Sequence, residues 1–144
     1  MNKLQILKSA KEVLAIESKA INDLAKSLND NFFKAVKSIE SLRGKLIISG
    51  VGKSGNIASK IAASFTSTGI PSVFLNPVDA SHGDMGIIRS EDILMVLSNS
   101  GESHELSDLL DFAKRKLVKI ISICSNKKSL LAKNSDINLI LPPH

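Results

Sequence analysis

The sequence predicts an α/β fold in which a five-stranded, parallel, doubly wound sheet follows two N-terminal helices. From residue 45 onwards, short apolar runs alternate with segments of helical spacing, a pattern typical of parallel strands joined by right-handed crossovers. The chain has 144 residues, of which 43% are hydrophobic. A chain of this length buries roughly two thirds of its unfolded surface, enough for one core, so we expect a single domain.

Two helices are predicted before the sheet. The first covers residues 3–28, and its apolar residues recur at three- and four-residue spacing: Leu7, Ala10, Leu14, Ile21, Leu24 and Leu28. The second begins at a cap provided by Asn29, Asp30 or Asn31 and closes at Gly44. We expect residues 1–43 to form a helical arm, which packs either against the sheet domain or against another subunit.

The first strand, residues 45–49, leads into a glycine-rich turn at residues 50–55 that opens the next helix. A P-loop would need a glycine where the chain has Ile47, so the Gly-Lys-Ser sequence does not indicate such a site. The dinucleotide pattern G-x-G-x-x-G does fit this turn. The second strand, residues 72–75, ends at Asn76 and not at the acidic residue that holds a ribose hydroxyl, which disfavours a dehydrogenase.

The rest of the chain continues the alternation. Residues 76–86 are rich in turn formers, contain a His-Gly-Asp tripeptide, and are expected to form a surface loop. The remaining predictions are strands at 92–97, 118–124 and 137–141, a helix at 104–116 and a short helix at 129–133.

A serine-rich loop, Ser98 to Glu105, stands between the third strand and the helix that follows it. Serine and asparagine are ordinary helix caps, so the loop could serve only the turn. One hydroxyl is enough for a cap, however, and this loop has three, at Ser98, Ser100 and Ser103. It also lies at the carboxyl end of a parallel strand, where open α/β sheets place their ligands. Together with the free N–H groups of a helix start, these hydroxyls favour a phosphate site.

Composition excludes several classes of function. The formal net charge is +5, but the lysines are spread along the chain, and the aromatic content is 3% with no Tyr or Trp to stack on bases, so we expect no nucleic-acid partner. No run reaches the ~20 apolar residues of a membrane span, so we expect a cytoplasmic protein with no membrane partner. The single cysteine, Cys124, allows no disulfide framework or cysteine metal site, and we expect no metal.

Three sequence blocks together resemble one family. The chain is similar to sugar isomerase (SIS) domains, more narrowly to the D-arabinose 5-phosphate isomerase branch, in Gly50–Gly55, in Ala80–Gly86 and in Ser98–Ser103. The resemblance extends from Lys11 through the last strand. It implies a flavodoxin-like strand order, no organic cofactor, and the interconversion of D-ribulose 5-phosphate and D-arabinose 5-phosphate, which feeds the synthesis of a lipopolysaccharide sugar.

The same resemblance implies roles for particular residues. The substrate phosphate would be held by Ser98, Asn99, Ser100 and Ser103, with Ser54 nearby. Three residues would face the sugar and be catalytic: Glu105 as the base, Lys53 as the group that neutralises a developing oxyanion, and His82 as a proton shuttle or ring-opening group.

The chain departs from the family pattern after its fifth strand. Residues 1–144 would form one SIS domain that lacks its C-terminal helix, and a family glutamate and histidine proposed for catalysis have no counterpart. The apolar residues Ile137, Leu139 and Leu141 would then need cover, which the N-terminal helices, a second subunit or sequence lost by truncation could provide. We therefore expect a homo-oligomer, a dimer or tetramer, that binds pentose phosphates and isomerises them poorly or not at all. A catalytically silent sugar-phosphate module is the alternative, and a nucleotide-dependent oxidoreductase is a distant third.

Overall fold

The computed structural model describes residues 2–143 and confirms the predicted fold class. Five parallel strands form one sheet in the order β2-β1-β3-β4-β5, the flavodoxin-like order. The strands are β1 (Leu46–Gly50), β2 (Ser72–Leu75), β3 (Ile93–Leu97), β4 (Lys119–Cys124) and β5 (Ile137–Ile140). Each lies within about a residue of its predicted bounds.

The helices also follow the prediction, with two additions. They are α1 (Lys3–Ser27), α2 (Asp30–Glu40), α3 (Lys53–Ser67), α4 (Pro77–Ala80), α5 (Ser107–Arg115) and α6 (Leu130–Lys133). The segment predicted as a surface loop contains α4 and a 3₁₀ turn at Asp84–Ile87, because the Asn76 side chain caps α4 and Pro77 fits its first turn. The helix predicted from His104 begins with a 3₁₀ turn, His104–Leu106, before α5.

The sheet is covered on both faces. Every residue of β1 and β3 is buried, as expected for apolar runs in a parallel sheet between two helical layers. One face packs mainly against α5 and α6, with Leu94, Val96, Leu109, Leu110 and Leu131 in its core. The other face packs against α2 and α3, with Leu46, Ile48, Met95, Ala58 and Ala62. Cys124 is buried in β4, as predicted.

An ion pair between Lys45 and Asp92 stabilises the amino end of the sheet. The carboxylate of Asp92, just before β3, accepts hydrogen bonds from the Lys45 backbone N–H (2.9 Å), Lys45 Nζ (2.7 Å) and the Arg89 N–H (2.8 Å). Burial raises the pKa of Asp92, but the Lys45 ammonium and the two backbone donors outweigh it, so the pKa lies below its ordinary value. The ionised carboxylate therefore stabilises the fold.

The two N-terminal helices have different surroundings. Helix α2 packs against β5, where Asn31 Nδ2 donates to the Asn138 carbonyl over 3.0 Å. Helix α1 has no buried residue, and Leu4, Leu14 and Ile21 are 77%, 64% and 68% exposed. Its end forms, with α2 and β5, an apolar groove of about 190 Å³ lined by Leu24, Leu28, Phe32, Leu139 and Leu141. None of the helices within residues 2–143 combines the length and the apolar composition of a membrane-spanning segment.

Candidate functional site

The candidate site lies where the strand order reverses, between β1 and β3. The two strands pair in parallel register up to Gly50 and Leu97, so the loops that follow them leave the sheet side by side. Helix crossovers lead away on opposite faces at such a point and open a crevice beyond the carboxyl ends of the strands. This geometry brings the glycine loop (residues 50–55) and the serine loop (residues 98–103) side by side.

The two loops are in close contact at Gly50. A Cβ atom at this position would lie 3.0 Å from the Leu97 carbonyl oxygen and 3.0 Å from the backbone of Ser54. Such distances are shorter than ordinary van der Waals contact, so a larger residue would push the glycine loop away from β3. Glycine at this position therefore keeps the start of α3 against the end of β3.

The start of α3 is open to an anion. Its N-cap residue, Gly52, has no side chain to cap the helix, and the first turn contains no acidic residue. The backbone N–H groups of Lys53 and Ser54 have no acceptor within residues 2–143. Helix starts carry partial positive charge, which adds to the exposed ammonium of Lys53. This end of α3 is therefore free to bind a phosphate.

Hydrogen bonds within the serine loop give it a compact turn. Ser98 is buried, and its Oγ accepts the Gly101 N–H (3.1 Å) and lies 3.2 Å from Ser103 Oγ. Ser100 is exposed, and its Oγ accepts the Glu102 N–H (3.3 Å). No serine hydroxyl caps the helical segment that follows, since Ser103 makes no capping hydrogen bond with its side chain. The serine hydroxyls therefore do not act as helix caps here.

Gly101 lets the serine loop turn towards α6. It is buried, its φ is +71°, and a Cβ atom would collide with the Ser129 side chain. Its carbonyl oxygen accepts the Leu131 N–H over 3.0 Å. Residues with a side chain rarely adopt this backbone conformation, so both the conformation and the close approach require glycine here.

The segment after β4 adds contacts that the sequence reasoning missed. Asn99, predicted to bind phosphate, accepts a hydrogen bond at Oδ1 from Ser125 Oγ over 2.6 Å. Glu102 Oε1 accepts the Leu130 N–H over 3.2 Å. The signal for Ser125 was present, because it follows β4 directly and thus lies at the same edge of the sheet as the two predicted loops.

The three candidate catalytic residues lie on three different segments. Lys53 begins α3, His82 follows α4, and Glu105 lies in the 3₁₀ turn before α5; all three are exposed. Helix α4 packs against this 3₁₀ turn, and Ser81 Oγ donates to Asp108 Oδ2 over 3.3 Å, so the His82 segment lies beside the Glu105 turn. The side chains of Lys53, His82 and Glu105 make no hydrogen bond within the described part of the chain.

The dehydrogenase alternative loses support from the same geometry. The residue after β2 is Asn76, whose Oδ1 accepts the Val78 N–H and caps α4. A dinucleotide ribose would need an acidic side chain at this position. Among residues 2–143, no group of three or more His, Cys, Asp or Glu side chains is arranged to hold a metal ion.

Comparisons with known proteins point to a single family. The SIS domain family profile matches residues 39–144. The chain is 42% identical over 133 residues to a Yersinia pestis protein named arabinose 5-phosphate isomerase KdsD, a match covering 92% of this chain and 40% of that protein. It is 44% identical over 133 residues to an uncharacterised Rickettsia prowazekii protein, with 92% of this chain and 42% of that protein covered.

A solved structure shows the same architecture. The c3406 protein of E. coli CFT073, determined in complex with arabinose 5-phosphate, superposes with a TM-score of 0.94 at 35% identity, covering all of this chain and 77% of that one. The chain spans about two fifths of the length of the curated relatives it matches.

Proposed function

The chain belongs to the SIS domain family, and from this premise we propose that it binds a pentose 5-phosphate and interconverts D-ribulose 5-phosphate and D-arabinose 5-phosphate. The observation that carries the proposal is the open start of α3 beside the serine loop, at the point where the strand order reverses. The name of the Yersinia relative and the arabinose 5-phosphate complex of the E. coli protein support this choice of substrate.

In this proposal the phosphate lies between the two loops. Donors would come from the exposed hydroxyl of Ser100, from Ser103 and Asn99, and from Ser54 and the free N–H groups at the start of α3. Buried Ser98 would hold the loop in shape while offering its hydroxyl. A phosphate dianion needs several such donors when no cation binds it, and each hydrogen bond to a charged group contributes about 1.5–3 kcal/mol.

The proposed chemistry moves one proton between C1 and C2 of the sugar. Glu105 removes the proton from one carbon and returns it to the other, with an enediol as the intermediate. Lys53 stabilises the negative charge that develops on the substrate oxygen, and His82 transfers a proton between the oxygens or assists opening of the sugar ring. The packing of α4 against the Glu105 turn supports this grouping, because it places the His82 segment next to the proposed base.

A second candidate function is a sugar-phosphate-binding module without turnover. The side chains of Lys53, His82 and Glu105 are exposed and make no hydrogen bond within residues 2–143. General acid–base catalysis needs groups held in position, and nothing in the described chain orients these three. The phosphate loops, in contrast, are already ordered by their own hydrogen bonds.

We further propose that the protein is a homo-oligomer, a dimer or tetramer, in which a second copy covers α1. Nine large apolar side chains on α1 and its C-cap are each at least 39% exposed. A stable interface buries about 800 Å² per partner, so it needs an extended exposed surface of this kind. In a symmetric dimer both copies contribute the same surface, so one exposed stripe on each copy is sufficient to form the interface.

Titration and turnover assays test the function. We expect D-arabinose 5-phosphate and D-ribulose 5-phosphate to raise the melting temperature and NAD to leave it unchanged. In a chain that turns over substrate, Glu105→Gln should lower kcat by about 10²–10⁴-fold and leave sugar-phosphate affinity unchanged, because the amide cannot accept the proton. Lys53→Ala should lower both affinity and turnover. Glu91→Gln, an exposed position at the opposite end of the sheet, is the control.

The outcomes separate the candidates. Binding with turnover supports the isomerase, and binding without turnover supports the silent module. Stabilisation by NAD but not by sugar phosphates would contradict both.

Light scattering tests the oligomer. We expect Leu14→Asp, in the middle of the α1 stripe, to shift the protein towards monomer, because a carboxylate cannot be buried against apolar side chains without a partner. The matched control is Leu117→Asp, at a leucine that is 87% exposed outside the stripe. A monomeric unaltered chain would contradict the proposal.

A further inference from the structure

The serine loop is fastened to the segment that follows β4 at two places. At the first, Asn99 and Ser125 share two hydrogen bonds: the Asn99 carbonyl accepts the Ser125 N–H over 2.9 Å, and Asn99 Oδ1 accepts Ser125 Oγ over 2.6 Å. At the second, Leu131 and Leu130 donate their N–H groups to the Gly101 carbonyl and to Glu102 Oε1. The loop is therefore fixed against its neighbour across the sheet edge, and not only by its own turn.

The Asn99–Ser125 pair differs from the other contacts because it controls a side chain in the proposed phosphate site. Asn99 is exposed, and Ser125 is half-buried. With Oδ1 occupied by the Ser125 hydroxyl, the amide plane of Asn99 is fixed, while its Nδ2 has no acceptor within residues 2–143. An amide held in this way has its donor group available and its acceptor group already satisfied, which is the polarity that a phosphate requires.

We propose that Ser125 is a positioning residue of the phosphate site: its hydroxyl orients the Asn99 amide so that Nδ2 donates to a phosphate oxygen. The inference rests on the proposed function, because it assumes that the serine loop binds a sugar phosphate. It assigns a role to a residue that lies outside the three sequence blocks of the family resemblance, directly after β4, whereas the two phosphate loops follow β1 and β3.

The main-chain hydrogen bond between Asn99 and Ser125 allows an experiment to distinguish the positioning of Asn99 from a structural role of Ser125. Ser125→Ala removes the hydroxyl but leaves the Ser125 N–H and the Asn99 carbonyl in place, so the loop keeps its main-chain contact. The amide of Asn99 regains rotational freedom, and ordering it again on binding costs affinity. Freeing one side chain in this way should weaken binding about three- to tenfold.

The experiment measures affinity for D-arabinose 5-phosphate and for inorganic phosphate by calorimetry in the full chain. We expect Ser125→Ala to bind both about three- to tenfold more weakly with an unchanged melting temperature, and Ser125→Thr to bind almost as the unaltered chain does, because it keeps the hydroxyl. The matched control is Ser135→Ala, since Ser135 is also half-buried and its hydroxyl donates to a main-chain carbonyl, that of Leu131.

A double-mutant cycle shows whether Ser125 acts through Asn99. If it does, Ser125→Ala should cause no further loss of affinity in an Asn99→Ala background. Unchanged affinity of Ser125→Ala, or a loss that simply adds to that of Asn99→Ala, overturns the inference and leaves the proposed function standing. Failure of the unaltered chain to bind either ligand overturns the proposed function, and this inference with it. The Asn99 side-chain amide signals in an ¹⁵N spectrum report the orientation separately: we expect them to sharpen in Ser125→Ala without ligand, because a freed and exposed amide reorients on the ps–ns timescale.

Discussion

The two ends of the same sheet differ in how their polar groups are paired. At the amino end, the carboxylate of Asp92 is buried and accepts three hydrogen bonds, from Lys45 Nζ and two backbone N–H groups. At the carboxyl end, the start of α3 has no cap, Lys53 is exposed, and Ser100 presents its hydroxyl to solvent. One end satisfies its polar groups internally, and the other leaves donors open.

This difference separates stability from function. A polar group paired within the chain contributes to the free energy of unfolding, because the unfolded state loses that pairing. An unpaired donor contributes little to the fold and is available for a ligand. Substitution of Asp92 should therefore change stability without changing binding, and substitution of the open donors at the carboxyl end should do the reverse.

The largest effect is expected from Asp92→Asn at the amino end. The amide cannot accept all three hydrogen bonds, and it places an NH₂ group against donors, so the free energy of unfolding should fall by about 2–4 kcal/mol. Affinity for sugar phosphate should stay unchanged in the folded protein. Denaturant titration measures the first quantity and calorimetry the second, with Asp111→Asn, an exposed position on α5, as the control. A loss of affinity at a temperature where the variant is folded would show that the two ends are coupled.

Ser100→Ala at the carboxyl end should show the opposite pattern. Its hydroxyl is proposed to donate to the phosphate, and loss of one such hydrogen bond should weaken binding by about tenfold to a hundredfold. The melting temperature should hardly change, because Ser100 is exposed and makes a single 3.3 Å hydrogen bond within its loop. Full affinity together with a lower melting temperature would mean that the serine hydroxyls serve only the turn.

Acid should weaken the amino end in particular. The pKa of Asp92 lies below its ordinary value of 3.8, so the unfolded chain takes up this proton at a higher pH than the native protein does. The stabilisation by Asp92 is therefore fully present above about pH 5 and is lost as the pH falls through the native pKa. The slope of unfolding free energy against pH below about pH 4 should be shallower in Asp92→Asn. Identical slopes would show that other carboxylates cause the acid sensitivity.

The smallest effect is a gain in stability at Leu117, which lies at the amino end, in the turn from α5 to β4. This leucine is 87% exposed and has a φ of +57°, a conformation that glycine adopts without strain. Leu117→Gly should raise the free energy of unfolding by about 0.5–1 kcal/mol, and Leu117→Ala, which keeps a Cβ atom, by less. Destabilisation by both would indicate that the leucine packs against another molecule in solution.

Much of the fold could be predicted because its signals are local. The runs that became β1 and β3 are apolar throughout, and a strand buried on both faces needs that pattern. Helix α1 has an apolar stripe at helical spacing, and Asn29 offered the cap that the structure uses for α2. The resemblance to SIS domains supplied the strand order, which the periodicity of a single sequence does not contain.

The less accurate predictions fall where several weak signals compete. The segment at residues 76–87 is rich in turn formers, yet Asn76 and Pro77 start a four-residue helix there. The contacts of Ser125 with Asn99 and of Glu102 with α6 join residues 26 and 28 positions apart, and no periodic pattern links them. Whether Lys53, His82 and Glu105 act together remains a prediction for the kinetic experiments.

The sequence by itself determined which segments become strands and helices, and that two polar loops follow the apolar runs of β1 and β3, because these properties depend on neighbouring residues. Only the tertiary structure decided that the serines bond within their own loop instead of capping a helix, that Asn99 is oriented by Ser125, and that α2 covers the sheet while α1 stays exposed. The orientation of Asn99 depends on a polar partner across the sheet edge, and the cover by α2 depends on which apolar faces meet. Both are fixed only when the strands have assembled in their final order.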